Sequence, residues 1–291
     1  MTLPLAKLMH ELDRLASMPV VVGRVLAELA SPRGNARTIG RLIEDDPPLT
    51  ARLLGIANSA FFAPVERIST AERAVSRLGM AEVRQIVLAT SLLDVFGHGH
   101  GGMDITELYV QSIASAVLVS ELGKLTHHPG IAKIGPSDGL FTLGLLHDIG
   151  LFALNHALPG PFAQCLDRSQ TTLEPLAEAE RFVLGYDHAA VGALLLQRWR
   201  LTPWEVEVAR WHHKPDKAPA DVRAIAELAH LADVLIVDLK LAPQLAHLIG
   251  TCSVQALDEL GISVSQILEL QSHAGEHVAR ARALAEIIAN N

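Results

Sequence analysis

Aromatic residues make up only 4% of this 291-residue chain, and its β-branched residues are diluted by Leu and Ala, so strand-forming material is scarce. Cysteine is almost absent. Cys165 and Cys252 have no CxxC spacing and lie in apolar helical contexts, which argues against a disulfide framework or a thiolate zinc site and makes both core residues. No basic-then-apolar leader opens the sequence, and no uninterrupted apolar run approaches the roughly 18 residues needed to span a bilayer. The expectation is a cytoplasmic protein with no membrane contact. Positive charge is also short, with 24 Lys and Arg against 32 acids and a formal net charge of −8. That balance disfavours nucleic-acid binding, which depends on basic groups replacing counterions along phosphates. No repeat of 20 to 50 residues stands out, which argues against a solenoid.

What is present is apolar side chain, 49% of residues, recurring at spacings of three and four. That is ample for a large core, and the periodicity predicts an all-α protein. Short helices are expected near 4–16, 20–30, 36–45, 48–58, 70–78 and 80–95. Pro19, Pro32, Gly34, the Asp46-Pro47-Pro48 step and Gly79 supply the interruptions. Asp46 should cap its helix, with proline in the first turn, and Asn58-Ser59 should close one. The stretch Phe96 to Gly102 holds four glycines in seven residues. It divides the chain into an N-terminal helical lobe (1–97), a Gly/His-rich linker (98–103) and a second helical lobe (104–291), with His98 and His100 read as incidental. Longer helices follow near 104–126, 137–157, 172–184, 187–200, 203–214, 219–239 and 262–289. The last is expected to cover its own lobe through a stripe including Ile267, Leu268 and Leu270.

One segment departs from ordinary packing. Phe141 to Gly150 ends an apolar run with His147-Asp148, two metal-type ligands where leucines would serve a core. His188, the pair His212-His213 and Asp233 each lie in or beside an amphipathic stretch and could converge on one centre. A divalent ion that activates water takes such neutral imidazoles and carboxylates, with a position left open to solvent. The same groups could equally form a buried hydrogen-bond network with no metal.

Taken together, these segments resemble the HD superfamily of metal-dependent phosphohydrolases. The N-terminal half resembles, more narrowly, the HD-related output domain (HDOD). The likeness rests on Leu15 to Pro19, the Asp46-Pro47-Pro48-Leu49-Thr50 step, Ala57-Asn58-Ser59-Ala60, Ile68 to Ala71 and Ala74 to Gly79, and it covers about residues 10–240. It implies an HD-like helical bundle as the second lobe, with His147, Asp148, His188, His212, His213 and Asp233 as metal ligands for Fe, Mn, Mg or Zn.

The pattern is incomplete. Where active relatives begin the ligand set with a histidine, Gln111 stands here, with Glu107 one turn earlier, as in GYP-type cyclic dinucleotide phosphodiesterases. The lysine those enzymes carry after the His-Asp pair is Leu151, and Lys214-Pro215-Asp216 replaces the GYP motif. The resemblance therefore implies a bacterial signal-transduction module with a degenerate metal pocket, working through a protein partner or a bound nucleotide. The alternative is a metal-dependent phosphohydrolase acting on a nucleotide or cyclic dinucleotide.

Overall fold

The computed structural model describes residues 19–59, 66–97, 102–134, 137–238 and 254–273, with a few isolated positions besides. Among these residues there is no strand, as the scarcity of aromatic and β-branched residues predicts.

The N-terminal helices form where capping residues precede apolar periodicity. These are α1 (Val20–Leu29), α2 (Ala36–Glu44), α3 (Pro47–Ala57), α4 (Ala71–Leu78) and α5 (Met80–Phe96). Asn35 and Thr38 make a reciprocal capping box on α2. The Asp46 carboxylate accepts from Leu49 N at 3.0 Å, with Pro47-Pro48 in the first turn of α3, and Thr70 caps α4. Each cap satisfies an amide that no helical carbonyl can reach. Asn58 does more than close α3. Its amide donates to Leu54 O and Ile68 O and its oxygen accepts from Ile68 N, all at 2.8 Å, so one side chain stitches together the loop ends. Phe62 packs against the core; Phe61, Cys252, His98 and His100 lie outside the described residues.

The second half contains α6 (Ile105–Leu125), α7 (Pro129–Ala132), α8 (Ser137–Leu146), α9 (Ile149–Ala157), α10 (Pro159–Thr172), α11 (Leu176–Leu184), α12 (His188–Arg198), α13 (Pro203–Trp211), a 3-10 turn (Pro215–Lys217), α14 (Arg223–Asp238), α15 (Val254–Leu260) and α16 (Val264–Ser272). Three expectations are corrected. The helix expected over 137–157 is two helices, broken at His147-Asp148, because His147 N closes α8 on Leu143 O and Leu151 N opens α9 on Asp148 O. Both halves bury nearly every face, so the apolar pattern runs through the corner undisturbed. Residues 159–172, which lie between two expected helices, form α10, with Pro159 and Pro161 in its first turn, where proline forfeits no helical bond. Of the helix expected over 262–289, the described residues show α16 from Val264, set off from α15 by the turn at Gly261, and there Ile267 is buried while Leu268 is exposed.

The hydrophobic core is continuous through both halves. Phe96 at the end of α5 packs on Phe152 of α9 and stacks on Trp199, with ring centroids 5.7 and 6.5 Å apart. Stretches 105–125 and 139–157 have the length and hydropathy of a membrane span, yet 78% and 89% of those windows are buried inside the fold, which makes them core helices.

Two close helix crossings set up the site. A Cβ on Gly144 would lie 2.7 Å from Ala116 Cα, and one on Gly150 would lie 1.9 Å from His188 O. Only glycine lets α8 approach α6, and α9 approach α12, this closely. The second crossing brings His188 beside Asp148.

Candidate metal centre

Five chain segments deliver the cluster. Gln111 comes from the interior of α6, His147 and Asp148 from the corner between α8 and α9, His188 from the first position of α12, His212 and His213 from the end of α13, and Asp233 from α14. Their donor atoms fall into two overlapping groups, Asp148 with His188, His212 and His213, and His147 with His212 and Asp233. Within each group the atoms lie within 4.8 Å of one another. His212 belongs to both.

The ring orientations follow from what each outer nitrogen touches. His147 Nδ1 donates to Gly144 O and His212 Nδ1 to Ala209 O, both at 2.8 Å. A carbonyl oxygen can only accept, so Nδ1 carries the proton and Nε2 is the inward atom in both rings. His188 is tied differently: its Nδ1 meets Glu180 Oε2 at 2.7 Å. Inside the cluster His147 Nε2 lies 2.9 Å from Asp233 Oδ1 and 3.2 Å from Asp148 Oδ2. His212 Nε2 and His188 Nε2 approach Asp148 Oδ1 to 3.2 and 3.4 Å, and His188 Nε2 meets His213 Nε2 at 2.7 Å.

The charges are consistent with this geometry. Burial opposes a charge on His188, but Glu180 and Asp148 outweigh it and carry the ring up to about 10. Burial likewise opposes a charge on His147, and Asp148 and Asp233 raise it well above the ordinary histidine value. Asp148 is buried too, yet the three imidazoles around it hold it well below the carboxylate range. His213 moves the other way, pushed down by burial and by His212 and His188. A protonated His188 can donate to Glu180 and His213 together only if His213 keeps a lone pair, and a His213 held low keeps one.

Buried polar atoms with no hydrogen-bond partner test whether these residues fit a cation. Asp148 Oδ1, Asp233 Oδ2 and His212 Nε2 are all of this kind: Asp148 Oδ1 and His212 Nε2 face each other at 3.2 Å, but with the His212 proton on Nδ1 two acceptors meet with no hydrogen between them, although such groups are nearly always satisfied in folded proteins. Two carboxylate oxygens and an imidazole nitrogen are the donor types a borderline or hard divalent ion takes. The set fits a divalent metal.

Of the residues singled out by sequence, six converge and a seventh, Gln111, joins them. Gln111 Nε2 donates to Asp148 Oδ2 at 3.3 Å while its Oε1 is unpartnered, so it touches the cluster as a donor to a carboxylate. Glu107 does not join. It is half-buried in the first turn of α6 and absent from both donor groups, because one helical turn displaces it about 6 Å along the axis. Sequence reading missed Glu180, fully buried beside His188. The available signal was an acid at the centre of the Leu176, Glu180, Leu184 stripe, where an amphipathic helix should carry an apolar residue.

A sequence model of the HDOD domain matches residues 15–215 of the chain. The chain belongs to the HDOD domain family. Among solved structures, it matches a candidate signal transduction protein of Marinobacter aquaeolei VT8 with a TM-score of 0.79 and 22% identity, covering 95% of this chain and 61% of that one. It matches a candidate phosphohydrolase of Shewanella amazonensis SB2B with a TM-score of 0.69 and 23% identity, covering 97% and 98%. At these identities the likeness establishes the shared helical fold. An uncharacterized protein of Treponema pallidum (strain Nichols) is 23% identical over 231 residues, 79% of this chain and 44% of that protein. The HDOD chain thus spans less than half the length of the curated relative it matches.

Proposed function

We propose that this HDOD chain is a regulatory module of signal transduction that holds a divalent cation as an internal fixture and acts through a protein partner. His147, Asp148, His188, His212, His213 and Asp233 would hold the ion. Such an ion supplies Lewis acidity and can lower the pKa of a bound water. What the chain's own residues do is orient five inward-facing side chains and exclude solvent from them.

The observation that carries this reading is burial of a nearly complete donor set. His147, Asp148, His188, His212 and Asp233 are 1%, 6%, 3%, 0% and 1% exposed, and only His213 is half-buried. A phosphoester must reach the ion to be cleaved, whereas a structural ion needs no entry. Two surface recesses of about 250 and 400 Å³ are lined by other residues. The test is to load the protein with Mn, Fe, Zn or Mg in turn and offer phosphomonoesters, nucleotides and cyclic dinucleotides. Bound ion without turnover is expected; turnover that disappears in His147→Ala would overturn the regulatory reading.

The phosphohydrolase alternative draws on the same donor set together with Gln111. If only that side chain blocks chemistry, Gln111→His should create metal-dependent hydrolysis. An unchanged Gln111→His protein that still binds the ion favours the regulatory module.

A further inference from the structure

We infer that Glu180 is the positioning residue of the cluster, a carboxylate clamp that fixes the tautomer and angle of His188 so that Nε2 faces the site. This deepens the metal reading above and rests on it. The geometry is specific. One oxygen, Glu180 Oε2, accepts from both the backbone N and the Nδ1 of His188, each at 2.7 Å. The backbone contact locks the residue at the start of α12, and the ring contact fixes rotation about its side-chain bonds. His188 needs such a partner more than the other rings do. His147 and His212 each find a carbonyl three residues back in their own chain, but His188 stands at the first position of its helix, where no preceding turn offers one.

The surrounding segment is built to hold the clamp in place. Gly185 turns α11 toward α12 in the left-handed conformation, φ 87°, which glycine adopts without strain. Arg181 pairs with both Glu178 and Asp187, and Asp187 caps α12 by accepting from Ala190 N at 2.9 Å. Glu180 itself is fully buried, and its other oxygen has no hydrogen-bond partner. A carboxylate serving only to fill space would be replaced there by an apolar residue without leaving a charge to satisfy. Carboxylates bound to the outer nitrogen of a metal-ligating imidazole typically change metal affinity by 10- to 100-fold when removed.

The experiment combines ¹H–¹⁵N correlation of histidine-labelled, metal-free full chain with metal titration of wild type, Glu180→Gln and Glu180→Asp. In the wild type the His188 ring should show a slowly exchanging, strongly downfield Nδ1 proton; its absence overturns the clamp without recourse to any variant. Glu180→Gln, whose neutral amide oxygen is a weaker acceptor, should move that signal upfield, speed its exchange and bind the divalent ion roughly 10- to 100-fold more weakly, with Glu180→Asp in between. A Glu180→Gln protein that folds, leaves the signal unmoved and binds the ion as tightly as wild type also overturns it. Wild type that shows the Nδ1 proton but takes up no ion defeats the metal reading and leaves the clamp as a fixture of the metal-free cluster.

Discussion

The two halves of this HDOD chain solve the packing problem differently. Among the described residues before Phe96 the only polar residues buried whole are Thr90 and Ser91, and both return their hydroxyls to carbonyls of their own helix, Val87 and Leu88. From α6 onward the described interior takes in eight His, Asp and Glu side chains. His147, Asp148, Glu180, His188, His212 and Asp233 form one connected cluster, and Glu205 and Glu227 stand apart. An apolar interior needs only shape. A buried cluster of charges is costly unless every member is paired or bound to an ion, so its presence in one half marks where function is concentrated. The N-terminal half packs on the site half through Phe96 and through the Arg84–Glu205 ion pair.

The largest effects should come from the crossing glycines. Gly150→Val would drive a side chain into the His188 and Gly192 backbone, 1.9 and 2.9 Å from where its Cβ must sit, and should cost about 3 kcal/mol or more. Urea unfolding would measure it. Gly40→Val, against the backbone of Glu72 at 2.7 Å, should be similarly severe in the other half while sparing the metal-binding geometry.

Next in size is Leu53→Ala, a fully buried N-terminal core position, expected to cost about 2–5 kcal/mol. An ion present at a hundred times its dissociation constant should return about 2.7 kcal/mol to wild type. Leu53→Ala should keep that increment, because distant sites act independently, whereas Asp233→Asn should lose it. An equal increment in all three proteins would mean that the ion binds elsewhere.

In metal-free protein, pH should act through the site half. His188, raised to about 10, binds a proton more tightly folded than unfolded. Its contribution is therefore complete below about pH 6.5 and disappears as pH climbs toward 10. Asp148 is held low, so its contribution is present at neutral pH and lost as pH falls through the acidic range. His213, depressed, subtracts stability below about pH 6.5, where the unfolded chain takes up the proton that the folded ring refuses. Thermal midpoints from pH 6.5 to 10 should decline in wild type. A flat profile would mean that His188 is uncharged at neutral pH.

The smallest effect belongs to Asn35→Ala, which removes the α2 cap at about 1 kcal/mol and should leave metal uptake unchanged.

Much of the N-terminal half was legible in the sequence because Asp46 with its two prolines and the glycine at 79 announce helix ends through local chemistry, and local chemistry can be read along a chain. The corner at His147-Asp148 was not, since it is made by α9 pressing its Gly150 onto a helix nearly forty residues later, and apolar residues surround the break on every side. The ligand-type residues were visible one at a time by their incongruity on apolar stretches. Glu180 was missed because an acid on a helix normally reads as solvent-facing; only its register with Leu176 and Leu184 betrays that it points inward. Glu107 shared a helical face with Gln111 but not its depth along the axis.

Whether the cluster holds an ion is decided by the divalent-metal content of chelator-stripped, reloaded and gel-filtered protein, measured for wild type and His212→Ala. His212 is the donor shared by both groups. Each wild-type chain should retain at least one tightly held ion, and His212→Ala none. Wild-type protein that emerges metal-free, with His212→Ala merely less stable, would contradict the metal reading and leave the cluster as a packing network.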